Sequence, residues 1–202
     1  MSTTTPTDDD CGLRERKKRE TRRAINLAAL DLVEEKGFAS VTTDEIAGRA
    51  GVSARTFFNY FPSKEAAVIG TTPEELEAYA ASLEHATEGE SPVASLRRII
   101  AEMLAPGTID KQLRARRRRI LLGEPALAPA LVGNNIRIEN ALTAALERRL
   151  GVRPGASLEP RLTVTVSLAA VRTCIEHQQQ GGSGRLERNI DQAFDRIADG
   201  LR

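Results

Sequence analysis

Residues 42–64 read TTDEIAGRAGVSARTFFNYFPSK, and this stretch decides the fold. Two threonines open it and suit the N-cap of a short helix, and the acidic pair that follows favours the positive end of that helix. Gly51 ends the helix, because the tight turn needs a residue that tolerates unusual backbone angles. Ser53 then suits the N-cap of a second short helix, which Pro62 ends. The stretch therefore predicts two short helices joined by a tight turn.

A longer helix is predicted before this pair, from about Arg14 to Lys36. Its apolar residues recur every three or four positions and form one face: Ile25, Ala28, Ala29, Leu32 and Val33. Three helices in this order have the organisation of a helix-turn-helix, whose last helix can enter the major groove of DNA, about 12 Å wide. Such a unit also occurs as a purely structural element, so the spacing alone leaves both interpretations open.

Basic residues are concentrated near the start of the chain. The net charge of the whole chain is only +1, which gives no indication of nucleic-acid binding. Residues 11–23, however, contain seven basic residues and two acidic ones. A nearly neutral protein with one basic patch can bind phosphates at that patch, so this distribution favours the DNA-binding interpretation.

The rest of the chain predicts further helices. We place them near residues 73–87, 92–105, 109–123, 133–150, 157–180 and 185–201, with breaks rich in glycine and proline. The predicted fold class is therefore all-α, with a three-helix helix-turn-helix domain followed by a helical C-terminal domain. We expect a disordered tail over residues 1–12, a DNA-binding domain over 13–70 and a C-terminal domain over 71–202.

No reactive site is evident in the sequence. Cys11 and Cys174 lie far apart, and His85 and His177 are isolated, so neither metal-ligand spacing nor a disulfide framework is present. We therefore expect no catalytic residues, no metal and no cofactor; a helical enzyme or carrier is a remote alternative. The N-terminus lacks the features of a secretory signal, and no apolar run approaches the ~20 residues that span a bilayer. We expect a cytoplasmic, nucleoid-associated protein with no membrane partner.

The basic first helix, AGVS at 50–53 and FPSKE at 61–65 together resemble the TetR family of transcriptional regulators. The similarity runs from Arg14 to about Ala67, and other helix-turn-helix families lack the Tyr-Phe-Pro-Ser-Lys ending. The resemblance implies a homodimer that binds double-stranded operator DNA, responds to a small-molecule effector and usually represses transcription. A regulator with no small-molecule ligand, controlled by a protein partner or by its own concentration, stays open as an alternative.

The resemblance also implies which residues contact DNA. Those on or near the DNA-facing side of the second short helix are Ser53, Ala54, Arg55, Thr56, Phe58, Asn59 and Tyr60, whereas Phe57 and Phe61 belong to the core. Arg55 is the candidate for direct base recognition, because a guanidinium can bond guanine O6 and N7 together. Thr56 and Tyr60 suit phosphate oxygens.

Further phosphate contacts are expected on either side of this helix. Lys64 sits at a helix N-terminus, which favours phosphate, and Thr42 and Thr43 can act in the same way. In the first helix, Arg16, Lys17 and Arg19 are expected to strengthen binding with little effect on sequence preference.

The C-terminal part is expected to dimerise and to bind the effector. The two last helices would form the dimer surface through Leu162, Val166, Ala169, Ala170, Ile175, Ile190, Phe194 and Ile197. The candidate pocket lining is mostly aliphatic, which favours an apolar or amphipathic ligand: Leu76, Tyr79, Leu83, Ile99, Met103, Ile120, Leu121, Leu131, Ile138, Leu142 and Val171.

A second basic run, Lys111–Arg119, allows two interpretations. It is either a solvated helix face or a cradle for a phosphate-bearing ligand such as a coenzyme A thioester. The layout RRRRILLGEPALAPAL at 116–131 with ALERRLG at 145–151 resembles actinobacterial TetR members linked to acyl-CoA or mycofactocin-type control, which makes an acyl-CoA a candidate effector.

Overall fold

The computed structural model describes residues 8–104, 116–117, 119–121 and 123–200. Within these ranges the regular elements are all helical: α1 (Asp8–Lys36), a 3-10 turn (Phe38–Ser40), α2 (Thr43–Arg49), α3 (Ala54–Tyr60), α4 (Lys64–Ile69), α5 (Pro73–Glu84), α6 (Pro92–Leu104), a second 3-10 turn (Pro125–Leu127), α7 (Ala128–Arg149), α8 (Glu159–Gln179) and α9 (Leu186–Ala198). The predicted all-α fold class is confirmed. None of these described helices is both long and apolar enough to cross a membrane.

Two helices begin earlier than their sequence predicts. Helix α1 starts at Asp8, so residues 8–12 are helical rather than part of a disordered tail. Helix α7 starts at Ala128, ahead of the predicted position near 133, because Pro129 in the first turn removes an N–H that would have no partner in the helix.

The described residues form two compact units, and the first contains the helix-turn-helix. It comprises described residues of 1–70 and of 111–132. Helix α1 packs against α2 and α4, and α2 packs against α3. The predicted apolar face of α1 is confirmed, since its members are at most 6% exposed. Gly51 has a φ of 69° in the turn between α2 and α3, as its position in the motif requires.

A segment from the middle of the chain completes this first unit. Residues 116, 117, 119–121 and 123 are helical. Arg116 pairs with Asp31 at 2.5 Å and with Glu34 at 2.6 Å, both on α1. The carboxylate of Glu124 accepts a hydrogen bond from the backbone N–H of Phe38 at 3.2 Å. The segment thus packs with the helix-turn-helix, although the sequence pattern predicts it as part of the C-terminal domain.

One buried asparagine connects three parts of the first unit. Asn26, on α1, is 5% exposed and donates a hydrogen bond from Nδ2 to the carbonyl of Ala67 on α4 at 2.5 Å. Its Oδ1 accepts a hydrogen bond from Arg117 at 2.8 Å. Gly70 ends α4 at a φ of 70°, and a Cβ placed there would lie only 2.7 Å from Asn26 Nδ2. The close approach therefore requires glycine at this position.

The second unit comprises described residues of 71–110 and of 133–202. Helix α9 packs against α6 and α8, and α6 packs against α5 and α8. Ile190 and Phe194 of α9 are 5% and 1% exposed in this core. The apolar face of α9 is thus covered by helices of its own subunit, and the role of these two residues at the dimer surface stays a prediction. Elsewhere on α9, Asp191 and Asp195 each pair with Arg97 at 2.7 Å.

Candidate nucleic-acid interface

Helix α3 has one buried face and one exposed face. Phe57 is fully buried and Phe61 is 3% exposed, which confirms both as core residues. The exposed side chains are Ala54, Arg55, Phe58 and Asn59. Because residues three or four positions apart share one side of a helix, these four form a single surface, here called the reading face.

Arg55 is the strongest hydrogen-bond donor of the reading face. Its guanidinium is exposed, and among the described residues no hydrogen bond or ion pair engages it. A guanidinium presents several N–H donors in a planar fork that matches two acceptors at once. Asn59 lies four positions later on the same face and adds an amide with both donors and an acceptor.

The start of α3 is fixed by two hydroxyl groups. The Oγ of Ser53 accepts a hydrogen bond from the backbone N–H of Thr56 at 3.1 Å, which is the N-cap that the sequence predicts. The same Oγ lies 2.9 Å from Oγ1 of Thr56. Each hydroxyl still has bonding capacity for a phosphate oxygen, since a hydroxyl combines one donor with two acceptor lone pairs.

The end of α3 is held by a basic residue of the first helix. Arg22 lies 5.7 Å from the ring centroid of Tyr60 and the same distance from that of Phe61. It also donates a hydrogen bond to the backbone carbonyl of Tyr60 at 3.3 Å. Tyr60 is half-buried. It follows Asn59 in the chain and therefore lies next to the reading face. Arg22, on α1, therefore helps to fix the orientation of α3 through cation–π and hydrogen-bond contacts.

Thr42 and Glu45 close the N-terminus of α2 by a capping box. Thr42 Oγ1 accepts a hydrogen bond from the backbone N–H of Glu45 at 3.3 Å, and the Glu45 carboxylate accepts one from the backbone N–H of Thr42 at 2.9 Å. The hydrogen bond from Lys36 and those from Thr42 lower the pKa of Glu45 to about 2. Thr43 follows as the first residue of α2 and is half-buried.

Lys64, the first residue of α4, is directed inward. Its ammonium donates hydrogen bonds to the backbone carbonyls of Phe38 at 3.1 Å and Val41 at 2.8 Å. The ammonium nitrogen also lies 4.4 Å from the centroid of the Phe38 ring. An ammonium has three N–H donors, so these contacts use most of its capacity. The geometry favours a role for Lys64 in holding α4 against the turn that precedes α2.

The basic residues expected to strengthen DNA binding lie on the surface of α1. Arg16, Lys17 and Arg19 are all exposed. Arg16 forms one ion pair with Glu20 at 3.7 Å, in which both side chains are more than 60% exposed. Exposed pairs of this kind are weak, so a phosphate could replace the carboxylate at little cost.

Comparison with known proteins agrees with this geometry. Residues 25–68 match the family of bacterial regulatory proteins of the tetR type. Residues 90–202 match the MftR C-terminal domain, a C-terminal domain of the same regulators. The chain belongs to the TetR family of transcriptional regulators. As members of this family are regulators, the chain is not an enzyme.

Full-length relatives place this TetR-family chain among bacterial regulators. It is 29% identical to TcmR of Streptomyces glaucescens, over 98% of this chain and 90% of TcmR. It is 27% identical to MftR of Mycobacterium tuberculosis, a regulator named for mycofactocin biosynthesis, over 92% of this chain and 93% of MftR. A solved complex of SmeT with triclosan has the same fold, with a TM-score of 0.56, 22% identity and coverage of 87% of this chain and 88% of SmeT.

The residues predicted to line the effector pocket of this TetR-family regulator fall in both units. Ile120, Leu121 and Leu131 belong to the first unit. In the second unit Leu83, Ile99, Ile138 and Leu142 are buried in the core, and Leu76, Tyr79, Met103 and Val171 pack against it. The pocket lining stays a prediction.

The described members of the basic run Lys111–Arg119 differ in their surroundings; its other members lie outside the described residues. Arg116 and Arg117 are half-buried and engaged with α1. Arg119 is 78% exposed and lies 4.0 Å from Glu34. Arg116 and Arg117 therefore match neither of the two interpretations, a solvated helix face or a ligand cradle, because their side chains are bonded to α1.

Two positioning residues, Arg22 and Asn26, are not among the contacts that the sequence predicts. Arg22 is one member of the basic run in the sequence, and only the fold shows that it reaches α3. Asn26 carries a recognisable signal, because it is a polar residue next to Ile25 on a predicted apolar face. Buried amides are almost always hydrogen-bonded, so such a residue indicates a specific tertiary contact.

Proposed function

We propose that this TetR-family regulator represses transcription as a homodimer that binds a palindromic operator through α3 and is released by a small apolar or amphipathic ligand. The observation that carries the proposal is the reading face: an exposed guanidinium without a partner among the described residues, on a helix whose other side is anchored by buried phenylalanines. A rigid helix with one exposed, hydrogen-bonding side fits the major groove.

The roles of the predicted contacts follow from their geometry. Arg55 and Asn59 would bond to base edges, and Thr56 and Tyr60 would bond to phosphates next to the same groove. Arg16, Lys17 and Arg19 would add sequence-independent attraction to the backbone. Hydroxyl groups at the starts of α3 and α2 would bond to phosphates of the DNA backbone: those of Ser53, Thr42 and Thr43.

For the dimer surface we propose α7 and α8 in place of the last two helices. Ile136 and Leu162 are each 52% exposed and Leu158 is 71% exposed, and exposed apolar side chains that form one patch mark interaction sites. Hydrogen bonds of 2.9 Å from Arg161 to Asn140 and 2.8 Å from Thr165 to Glu139 connect the two helices. The other residues of the predicted surface are Val166, Ala169, Ala170 and Ile175 on α8 and Ile197 on α9, all half-buried.

The effector is proposed to act through the first unit. The segment around Arg116 and Arg117 is bonded to α1, and Asn26 connects both to the end of α4. A ligand that binds more tightly when this segment has moved would change the position of α4, and with it the separation of the two α3 helices in the dimer. TcmR and MftR are regulators of similar length, and SmeT binds triclosan, which supports a small-molecule effector; an acyl-CoA is one candidate.

Selection of bound duplexes from a random DNA pool at two salt concentrations tests the proposal. The expected product is a palindrome whose half-sites are centred about 10 base pairs apart or a multiple of this, with affinity that falls steeply as salt rises. Arg55→Ala should relax the preference at one symmetric base pair, at a cost of about 1–3 kcal/mol. Recovery of no common sequence would contradict the proposal.

A ligand screen separates the two kinds of regulator. A compound that raises the melting temperature and releases the selected duplex supports the ligand-responsive form. If no compound in an apolar and acyl-CoA library does either, the regulator without a small-molecule ligand is favoured.

A further inference from the structure

The reading face contains one large apolar side chain, Phe58. Its exposed fraction is 54%, although every neighbour on that face is small or polar. Within described residues 16–104 it is the large hydrophobic side chain with the greatest exposure. A phenylalanine has no hydrogen-bond donor or acceptor, so it cannot bind a phosphate or the polar edge of a base.

The Phe58 ring packs against a buried aromatic ring of the same helix. It meets the buried ring of Phe57 edge to face, with the centroids 5.3 Å apart and the planes at 90°. Edge-to-face contacts of this geometry are favourable for aromatic pairs. Because Phe57 is fully buried, the contact gives Phe58 a defined orientation on the surface.

The position of Phe58 relative to Arg55 restricts what it can contact. The two residues are three positions apart, which places Phe58 roughly 4.5 Å further along the helix axis. Adjacent base pairs are stacked about 3.4 Å apart. A helix that presents Arg55 to one base pair therefore presents Phe58 to a base pair one or two steps away.

We propose that Phe58 is a specificity-determining residue that recognises the C5-methyl group of a thymine in each half-site. That methyl group is the one apolar feature that the four bases present in the major groove, and it is recognised by apolar contact. The proposal rests on the proposed function, because it requires α3 to enter the major groove.

Deoxyuridine tests the proposal, since it differs from thymidine only by the missing C5-methyl group and keeps the same hydrogen-bonding edges. Each thymine of the selected duplex is replaced by deoxyuridine in both half-sites, one position at a time, and the Kd of the full-length protein is measured. Burial of one methyl-sized group corresponds to about a fourfold change in affinity for each half-site. We expect a loss of this size at one symmetric position, one or two base pairs from the base that Arg55→Ala affects.

Two variants connect that loss to Phe58. Phe58→Ala should bind the thymine duplex more weakly and bind both duplexes equally, whereas Phe58→Leu should keep part of the discrimination because it retains apolar contact. Arg55→Ala serves as the matched control and should still discriminate thymine from deoxyuridine. Circular dichroism and melting temperature establish that each variant is folded.

The outcomes distinguish this proposal from the proposed function. If the protein selects a palindrome but no thymine position responds to deoxyuridine, or if Phe58→Ala discriminates as well as the unmodified protein, the proposal is overturned and the regulatory function stands. A selected half-site without thymine overturns it as well. If no sequence is selected at all, the proposed function fails first.

Discussion

Replacing Lys64 with Met separates a structural role from a DNA-binding role. The change keeps a long apolar side chain and removes the ammonium that donates to the carbonyls of Phe38 and Val41 and lies 4.4 Å from the Phe38 ring centroid. Hydrogen bonds to a charged group contribute about 1.5–3 kcal/mol each, and a cation–π contact about 0.5–1 kcal/mol. Because Lys64 is only half-buried, we use the lower values and expect the free energy of unfolding to fall by about 3.5 kcal/mol.

Thermal and urea unfolding measure this decrease. For a chain of this length, about 3.5 kcal/mol corresponds to a fall in Tm of roughly 7–14 °C. At a temperature where the variant is fully folded, we expect the slope of log Kd against log salt for operator DNA to stay unchanged, because the ammonium is directed away from solvent.

Lys17→Met is the matched control, since Lys17 is an exposed lysine of α1. Its stability should change by less than about 0.5 kcal/mol, while the salt slope should fall by about 0.9 for each phosphate that the lysine neutralises. If Lys64→Met leaves Tm unchanged and lowers the salt slope, Lys64 binds a DNA phosphate and does not stabilise the fold through the carbonyls of Phe38 and Val41.

Three further perturbations have defined outcomes. The lowered pKa of Glu45 means that its contribution to stability is complete above pH 4.5 and disappears as the pH falls towards 2, so the difference in stability between the unmodified protein and Glu45→Gln should shrink over that window in acid-unfolding curves. Gly70→Ala should cost about 1–3 kcal/mol more than Gly51→Ala in urea unfolding, because both adopt a positive φ but only the first brings a Cβ within 2.7 Å of a buried amide; equal decreases would argue against that close packing. Phe194→Ala should destabilise the subunit by about 3–5 kcal/mol at any concentration, whereas Leu162→Asp should leave the subunit folded and shift the dimer to monomer in sedimentation experiments; a dimer that tolerates the aspartate would exclude α8 from the interface.

The helix-turn-helix could be predicted in detail because its signals are local. The caps at Thr42 and Ser53 act on backbone groups within three residues, and the turn at Gly51 depends on its own φ. The two faces of α3 follow from helical periodicity, which requires no knowledge of the partner helix. The sequence alone therefore predicts that α2 and α3 are helices and that Phe57 and Phe61 are buried.

Contacts between distant residues could not be predicted in the same way. The carbonyl partners of Lys64 are backbone atoms more than twenty residues earlier, and Arg117 reaches Asn26 across ninety-one positions. A charged residue at a helix N-terminus is compatible with binding phosphate and with binding a carbonyl, and only the fold decides between them. The sequence therefore indicates that Lys64 and Arg117 are charged and that Lys64 lies at a helix N-terminus, but not what either residue contacts.

The dimer surface illustrates the same limit. Amphipathicity predicts that α9 buries one face, and it does so at Ile190 and Phe194, but within its own subunit. Periodicity gives the direction of a buried face and not the identity of its partner. Leu162 belongs to the dimer surface that the sequence predicts, whereas the exposure of Ile136 could be recognised only once the packing of the second unit was known.

Methylation interference on the selected duplex tests whether α3 enters the major groove, because dimethyl sulfate modifies guanine N7 in that groove. If α3 of each subunit enters that groove with Arg55 at a guanine, methylation at one guanine per half-site should block binding, at two positions related by the dyad of the palindrome and one helical turn or a multiple apart. Binding that is indifferent to methylation at every guanine, with equal weak affinity for unrelated duplexes, would show that α3 does not recognise bases in the major groove.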